Sequence, residues 1–240
     1  MSMQDLFVWE RFFDNIPKIL PYLSVTFSIV ACATGFGILL GLLVAIVTIK
    51  KIPVLNQLFK VYVSFMRGTP MLVQLMLIYY GLPVLLDSVL GTDINRGWDK
   101  IIFAYITFIL NQGAFISAIF YSAITSISIG QTEAGLSVGL SEFQTLRRII
   151  LPQMVRIALP PFGSDLVGLF QNSSLVFLIG VTDIMGRAKT IGSATKHVLE
   201  AYLFVAVIYV AVSLVVRLIF YYLNKTLEFG RGRKSKPTGA

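Results

Sequence analysis

The chain has 240 residues, 56% of them hydrophobic and only 13% charged, with a mean hydropathy of +0.79, so composition predicts an integral membrane protein and excludes a soluble domain. The formal net charge of +8 is distributed as membrane topology requires, and we predict no nucleic-acid partner. With a single cysteine, Cys32, and a single histidine, His197, the chain is predicted to have no disulfide framework, no metal site and no catalytic residues.

The first third of the chain predicts a surface segment followed by a membrane span. Residues 5–18 mix aromatic and charged side chains, and we expect them to form an amphipathic lead-in on the membrane surface. The first span covers about 22–49. Within it Ala33, Gly37 and Gly41 recur every four residues, and such a stripe of small residues lets a second helix approach closely.

The rest of the chain predicts four more spans, which makes one all-α membrane domain with five transmembrane helices over residues 1–240. The predicted order after the first span is a cytoplasmic elbow at 52–66, a second span at 71–86, an external loop at 87–100, a third span at 101–127, a loop at 130–150, a fourth span at 155–181, an external segment at 182–199, a fifth span at 201–222 and a basic tail from Lys225 to Lys236. Lys and Arg are more frequent in the segments assigned to the cytoplasm, which predicts an external N-terminus and a cytoplasmic C-terminus.

Polar residues inside the predicted spans are the candidates for solute binding. Asp165 is the only acidic residue well inside a span, and a carboxylate there costs several kcal/mol unless it is paired or hydrated. It either meets the positive group of a solute or makes a structural contact, for example with Arg156. Asn111 and Gln112 in the third span either join helices or contact solute. The remaining candidates, on or next to the helix face of Asp165, are Asn172 and Ser173.

The loop at 130–150, called the coupling loop below, is one of the few strongly polar intervals of the chain. It predicts two short helices joined at Gly139, where a residue without Cβ permits a sharp turn. Leu151-Pro152 then opens the next helix, since proline suits a first helical turn. Taken alone, this loop is equally compatible with an ordinary connection between two membrane helices.

The spacing in the coupling loop resembles the EAA loop of ABC importer permeases. The pattern Glu-Ala, four residues, Gly, nine residues, Ile-x-Leu-Pro fits at Glu133, Ala134, Gly139 and Leu151-Pro152, and the resemblance implies that these residues couple the chain to an ATPase subunit. The sequence departs from the family at Gly135, where an alanine is usual. A glycine there lowers helix propensity by roughly 1 kcal/mol.

Further motifs make the whole chain similar to the polar amino acid subfamily of these permeases. They are Arg-Gly-Thr-Pro at 67–70 with Gln74, Gly-Gln-x-Glu-Ala at 130–134, Leu-Pro-Gln at 151–153, Ala-Leu-Pro-Pro at 158–161 and Asn-Ser-Ser-Leu at 172–175. The resemblance implies a type I ABC importer fold with a cytoplasmic coupling helix, and a solute site near 165–174. The sequence departs from the subfamily at Ala118, Tyr121 and Gln171.

The resemblance also implies partners and a mechanism. A second permease subunit, identical or paralogous, completes the pathway, two ATP-binding subunits drive alternating access, and an extracellular or periplasmic binding protein delivers the solute to the bacterial cell membrane. The chain has no Walker A motif, so it is predicted not to be an enzyme and to bind no cofactor, with ATP and Mg on the partner ATPase. Residues 179–185 are similar to permeases for cystine and related sulfur amino acids. The alternative is a secondary transporter or channel subunit that works without an ATPase.

Overall fold

The computed structural model of the protein describes residues 7–91 and 97–228, and all regular structure in these two ranges is helical. Predictions that concern residues 1–6, 92–96 and 229–240, including most of the basic tail, lie outside the described residues. The α-helices are α1 (Trp9–Ile19), α2 (Leu23–Ile49), α3 (Leu55–Gly68), α4 (Met71–Met76), α5 (Leu82–Leu90), α6 (Lys100–Thr125), α7 (Ile129–Ser137), α8 (Glu142–Thr145), α9 (Leu151–Asn172), α10 (Ile184–Thr195) and α11 (Val198–Glu228).

Five helical segments in the described ranges are long and apolar enough to cross a membrane, which confirms the predicted all-α class with five membrane helices. They are Trp9–Ile49, Met71–Val89, Lys100–Thr125, Glu142–Ile179 and Val198–Leu227. Several combine α-helix with short tighter or wider turns, such as the 3₁₀ turn Leu20–Tyr22 and the π-helical turn Leu77–Gly81.

The stripe of small residues on α2 packs against α6, as the sequence predicts. A Cβ atom added to Gly37 would lie 3.0 Å from Cβ of Gln112, and one added to Gly41 would lie 2.8 Å from Cγ2 of Ile116. On the facing helix, a Cβ at Gly113 would lie 2.6 Å from Cδ2 of Leu40. The two backbones are therefore close enough that larger residues do not fit. This contact fixes the position of the α6 backbone that carries Gln112.

The N-terminal lead-in forms the helix α1, which packs one side against the last two helices. Helix α1 runs through the 3₁₀ turn into α2, and Ile19 joins a buried cluster with Ile184 and Phe204. Near its start, the amide of Val8 donates a hydrogen bond of 3.1 Å to the buried carboxylate of Glu200. One side of α1 is thus buried against protein, whereas Trp9 and Phe13 keep 64% and 59% of their surface accessible.

The predicted elbow at 52–66 is also mostly helical. Only a short turn with positive φ angles at Lys51 and Val54 precedes α3. Helix α3 contacts α6, and the hydroxyl of Tyr62 donates a hydrogen bond of 2.5 Å to the carbonyl of Leu110. Packing against the third span therefore stabilises a helix where its polar side chains alone predict an irregular connection.

The coupling loop contains the two predicted short helices, α7 and α8, and Gly139 between them has a φ of +84°. The predicted sharp turn is confirmed. Leu151-Pro152 does open the α-helix α9, yet the helical chain starts earlier, at Glu142. Ser141 caps α8 in a capping box with Gln144, and a π-helical turn at 146–150 joins α8 to α9 without a break. This wide turn leads into Pro152, which has no N–H to donate.

Candidate substrate site and coupling loop

Asp165 and Gln112 meet between the third and fourth spans. Asp165 is half-buried on α9, and the fully buried amide of Gln112 on α6 donates a hydrogen bond of 2.5 Å to its Oδ2. No ion pair joins Asp165 to Arg156 in the described part of the chain; the cation that acts on it electrostatically is Arg67. The structure therefore brings two of the predicted solute-binding residues together across a helix interface.

Asn111, although next to Gln112 in sequence, faces a different neighbour. Its amide donates to Oε1 of Gln74 at 2.8 Å and lies 3.4 Å from the carbonyl of Met66. Gln74 in turn donates to the same carbonyl at 2.8 Å and to that of Thr69 at 3.0 Å. Both amides are buried and are used to join α6 to the junction of α3 and α4, so the position of Asn111 favours the helix-joining interpretation.

Asn172 and Ser173 lie at the far end of α9, where the α-helix changes to a 3₁₀ turn. Asp165 and Asn172 share a helix face but are seven residues apart, about 10 Å along the axis. The Asn172 side chain is exposed, whereas Ser173 is buried and donates a 2.6 Å hydrogen bond to the carbonyl of Phe170. The structure therefore does not place these two residues beside Asp165.

A cavity of about 520 Å³ lies between α6 and α9, about one helical turn from Asp165 and Gln112 toward the coupling loop, and neither of these two side chains lines it. Its lining residues come from α6, from α9 and from the end of α3: Arg67, Phe115, Ala118, Ile119, Tyr121, Ser122, Ala123, Ile157 and Pro161. Pro161 precedes Asp165 by one helical turn, about 6 Å. The volume is within the range of small-molecule sites. In the sequence, Arg67 is only part of the Arg-Gly-Thr-Pro motif, and no local pattern indicates that its side chain reaches between two later helices.

The coupling loop presents the predicted coupling residues on its surface. Glu133, Ala134, Gly139, Leu151 and Pro152 are exposed. The loop and the first residue of α7, just before it, also expose apolar side chains, which a protein surface rarely presents together without a partner: Ile129, Val138 and Phe143, with 76%, 77% and 69% of their surface accessible.

Gly135, where the sequence departs from the family pattern, is buried between the two short helices. A Cβ atom there would lie 2.7 Å from Cγ2 of Thr145 and 3.0 Å from Cδ1 of Ile149. The glycine therefore lets α7 pack directly against α8 and the turn that follows it. In addition, the amide of Gln153 donates to Oε1 of Gln131 at 3.3 Å and connects the loop to α9.

Residues 37–229 match the family described as the inner membrane component of binding-protein-dependent transport systems. The chain belongs to this family. It is a transport pore component rather than an enzyme, and a multi-pass protein of the bacterial inner membrane. The predicted resemblance to amino acid ABC importer permeases is confirmed, and membership favours it over a secondary transporter or a channel.

The relatives and solved structures agree with this assignment. The L-cystine transport system permease protein TcyL of Bacillus subtilis is 37% identical over 96% of both chains, and the probable amino-acid permease protein YxeN of the same organism is 41% identical over 84% of this chain and 87% of its own. A crystal structure described as an amino acid ABC transporter with histidines superposes with a TM-score of 0.81 at 25% identity, over 94% of this chain and all of that one. An inward-facing structure of the MetNI methionine ABC transporter shares the fold, with a TM-score of 0.71 at 15% identity over 89% of this chain and 98% of that one. The predicted type I importer fold is thereby confirmed.

Proposed function

We propose that this chain is the permease of an ATP-driven amino acid importer and that Asp165 contacts the solute. The observation that carries the proposal is a half-buried carboxylate between α6 and α9, one helical turn from a cavity, with Gln112 as its hydrogen-bond partner among the described residues. One amide donor leaves most of the acceptor capacity of a carboxylate unused. The ammonium group of an amino acid supplies the donors and the opposite charge.

L-cystine is the proposed solute, with related sulfur amino acids as close alternatives. Two relatives named as L-cystine permeases, TcyL and TcyB of Bacillus subtilis, are 37% and 34% identical to this chain. Relatives named for glutamate/aspartate and for arginine are 31% and 32% identical. Asn111, Asn172 and Ser173 stay predictions as solute contacts, and Asn172, which is exposed on the face of Asp165, is the most accessible of them.

We propose that the coupling loop docks into an ATPase subunit through its exposed apolar side chains. Glu133, Ala134 and Gly139 shape the docking surface, and Leu151-Pro152 transmits its movement because the π-helical turn connects the loop without a break to the helix of Asp165. In the complete transporter, two ATPases that bind ATP and Mg, a second permease and an external binding protein drive alternating access. The N-terminus is then external and the C-terminus cytoplasmic.

Replacing Asp165 with asparagine tests the proposed solute contact, because this change keeps the shape of the side chain and removes its charge. Losing a charge-assisted contact costs about 1.5–3 kcal/mol, so the solute concentration for half-maximal stimulation of ATPase activity rises roughly tenfold to a hundredfold. Asp87→Asn, at an exposed position of α5, is the matched control and leaves that concentration unchanged. A lower melting temperature of Asp165→Asn with unaltered half-stimulation would assign Asp165 to the scaffold instead.

A further inference from the structure

The side chain of Arg67 stands at the junction of two cavities. It extends from the end of α3 into the 520 Å³ cavity between α6 and α9. It also lines a second cavity of about 280 Å³, whose wall is formed by α2, α3 and α6. The permanent positive charge of a guanidinium is therefore present at the coupling-loop side of Asp165, on an exposed side chain that lines both cavities.

The guanidinium of Arg67 is exposed, and no described residue accepts a hydrogen bond from it. Within residues 7–91 and 97–228, Arg67 forms no salt bridge and donates no hydrogen bond. Its charged group lies over the ring of Phe115, 5.6 Å from the centroid. Stacking on a ring uses the face of the guanidinium and leaves the N–H groups on its edge available. These N–H groups can pair with an anionic group that enters the cavity.

The backbone that carries Arg67 is held in place by the amide network described above. The carbonyl of Met66, the preceding residue, accepts a hydrogen bond from Gln74 and lies 3.4 Å from the amide of Asn111. The amide of Gln74 also donates to the carbonyl and the hydroxyl oxygen of Thr69. These contacts connect the end of α3 to α4 and α6. A binding group on a fixed backbone loses less freedom when a ligand arrives.

We propose that Arg67 is a specificity-determining residue that binds the carboxylate of the solute on the cytoplasmic side of Asp165. The inference rests on the proposed function and extends it to a solute that carries both an ammonium and a carboxylate group. Arginine suits this role because its planar fork pairs with both oxygens of a carboxylate. The rest of the cavity is mainly apolar, with Ile119, Ile157 and Pro161 among its walls, and accepts the uncharged part of the solute.

The test compares an amino acid with the amine that remains when its carboxylate is removed. The complete transporter is placed in phosphatidylcholine vesicles, and uptake of L-cystine is measured with competition by cystamine, its counterpart without carboxylates. If wild type does not take up L-cystine, the other natural L-amino acids and their decarboxylated amines replace this pair. The variants are Arg67→Gln and Arg67→Lys, and the control is Lys60→Gln, which removes the other cation that lines the smaller cavity on the same helix.

We expect Arg67→Gln to weaken the amino acid by about ten- to a hundredfold and to leave the affinity for the amine unchanged. Arg67→Lys falls between, since it keeps the charge without the fork, and Lys60→Gln behaves like wild type. An equal loss for amino acid and amine would overturn the proposal, because Arg67 would then act on the fold. So would a loss seen only in vesicles with phosphatidylglycerol, which would identify a lipid phosphate as the acceptor. Wild type that takes up no amino acid at all would instead refute the proposed function.

Discussion

Replacing Gly41 with alanine tests whether the contact between α2 and α6 holds the bundle together. The new Cβ atom would lie 2.8 and 2.9 Å from Cγ2 and Cβ of Ile116 and 3.0 Å from the backbone nitrogen of Ser117. None of these atoms is the free end of a flexible side chain, so the helices have to move apart. Overpacking of this kind costs about 1–3 kcal/mol.

Gly35 is the matched control, because it lies on the same helix and a Cβ atom there has no neighbour within 4 Å. Both substitutions gain the same helix propensity, about 1 kcal/mol, which cancels in their comparison. The difference between the two variants is therefore the packing cost alone. For a chain of this size it corresponds to a melting temperature lower by about 2 to 12 °C in Gly41→Ala than in Gly35→Ala.

The measurement is thermal unfolding of both variants purified in the same detergent, followed by tryptophan fluorescence and by loss of monodisperse protein. The stripe also fixes the backbone position of Gln112, which packs against Gly37, one turn from Gly41 on α2. Uptake is therefore measured on the same preparations. Equal melting temperatures for the two variants would show that α2 and α6 are not as close as described. The link between the small-residue stripe and the Asp165–Gln112 pair would then fail as well.

Three further predictions concern the loops. Gly139→Trp is expected to abolish uptake and ATPase copurification without loss of folded protein, because it adds bulk to the proposed docking surface. Gly91→Trp, at a second exposed glycine with positive φ, controls for backbone strain. Normal uptake by Gly139→Trp would refute the docking proposal. Burial raises the pKa of Asp183, the cap of α10, to about 6, so wild type should lose on the order of 2–3 kcal/mol of stability as the pH rises from about 4 to about 6. Asp183→Asn keeps the capping oxygen and should lack this loss when the melting temperature is measured against pH. Identical pH profiles of wild type and Asp183→Asn would contradict the prediction. A reporter fused after Ala240 should be cytoplasmic and one within residues 87–100 external, and both on one side would contradict the proposed topology.

If the stability of wild type rose instead of falling as Asp183 ionises, the charged carboxylate would be the form that stabilises the fold. The prediction depends on geometry as well as on burial: Oδ1 accepts a 2.8 Å hydrogen bond from the amide of Gly186, whereas Oδ2 is buried without a partner in the described part of the chain. The folded state therefore holds a proton more tightly than the unfolded chain, whose aspartates titrate near 3.9. Stability is highest below that value and is lost as the carboxyl ionises.

The spans, the coupling loop and the family were predictable because they depend on local order along the chain. Hydrophobic length alone indicates a span, Gly139 alone permits the left-handed turn found there, and the spacing around Glu133 and Leu151-Pro152 is a pattern in one dimension. The stripe at Gly37 and Gly41 likewise predicts close packing from composition and period. Composition does not show that α1 and α3 pack against the bundle, since the residues that they contact, such as Phe204 and Leu110, lie far away in sequence.

The site depended on tertiary structure. Asn111 and Gln112 are adjacent amides with the same chemistry, yet they differ by about 100° around the helix, so one faces Gln74 and the other Asp165. Which neighbour each meets is determined by how α6 crosses α3, α4 and α9, and the small residues of α2 determine how closely α6 is approached. Arg67 joins the site for the same reason: three segments distant in sequence converge only when the helices pack, and no periodicity within one segment contains that information.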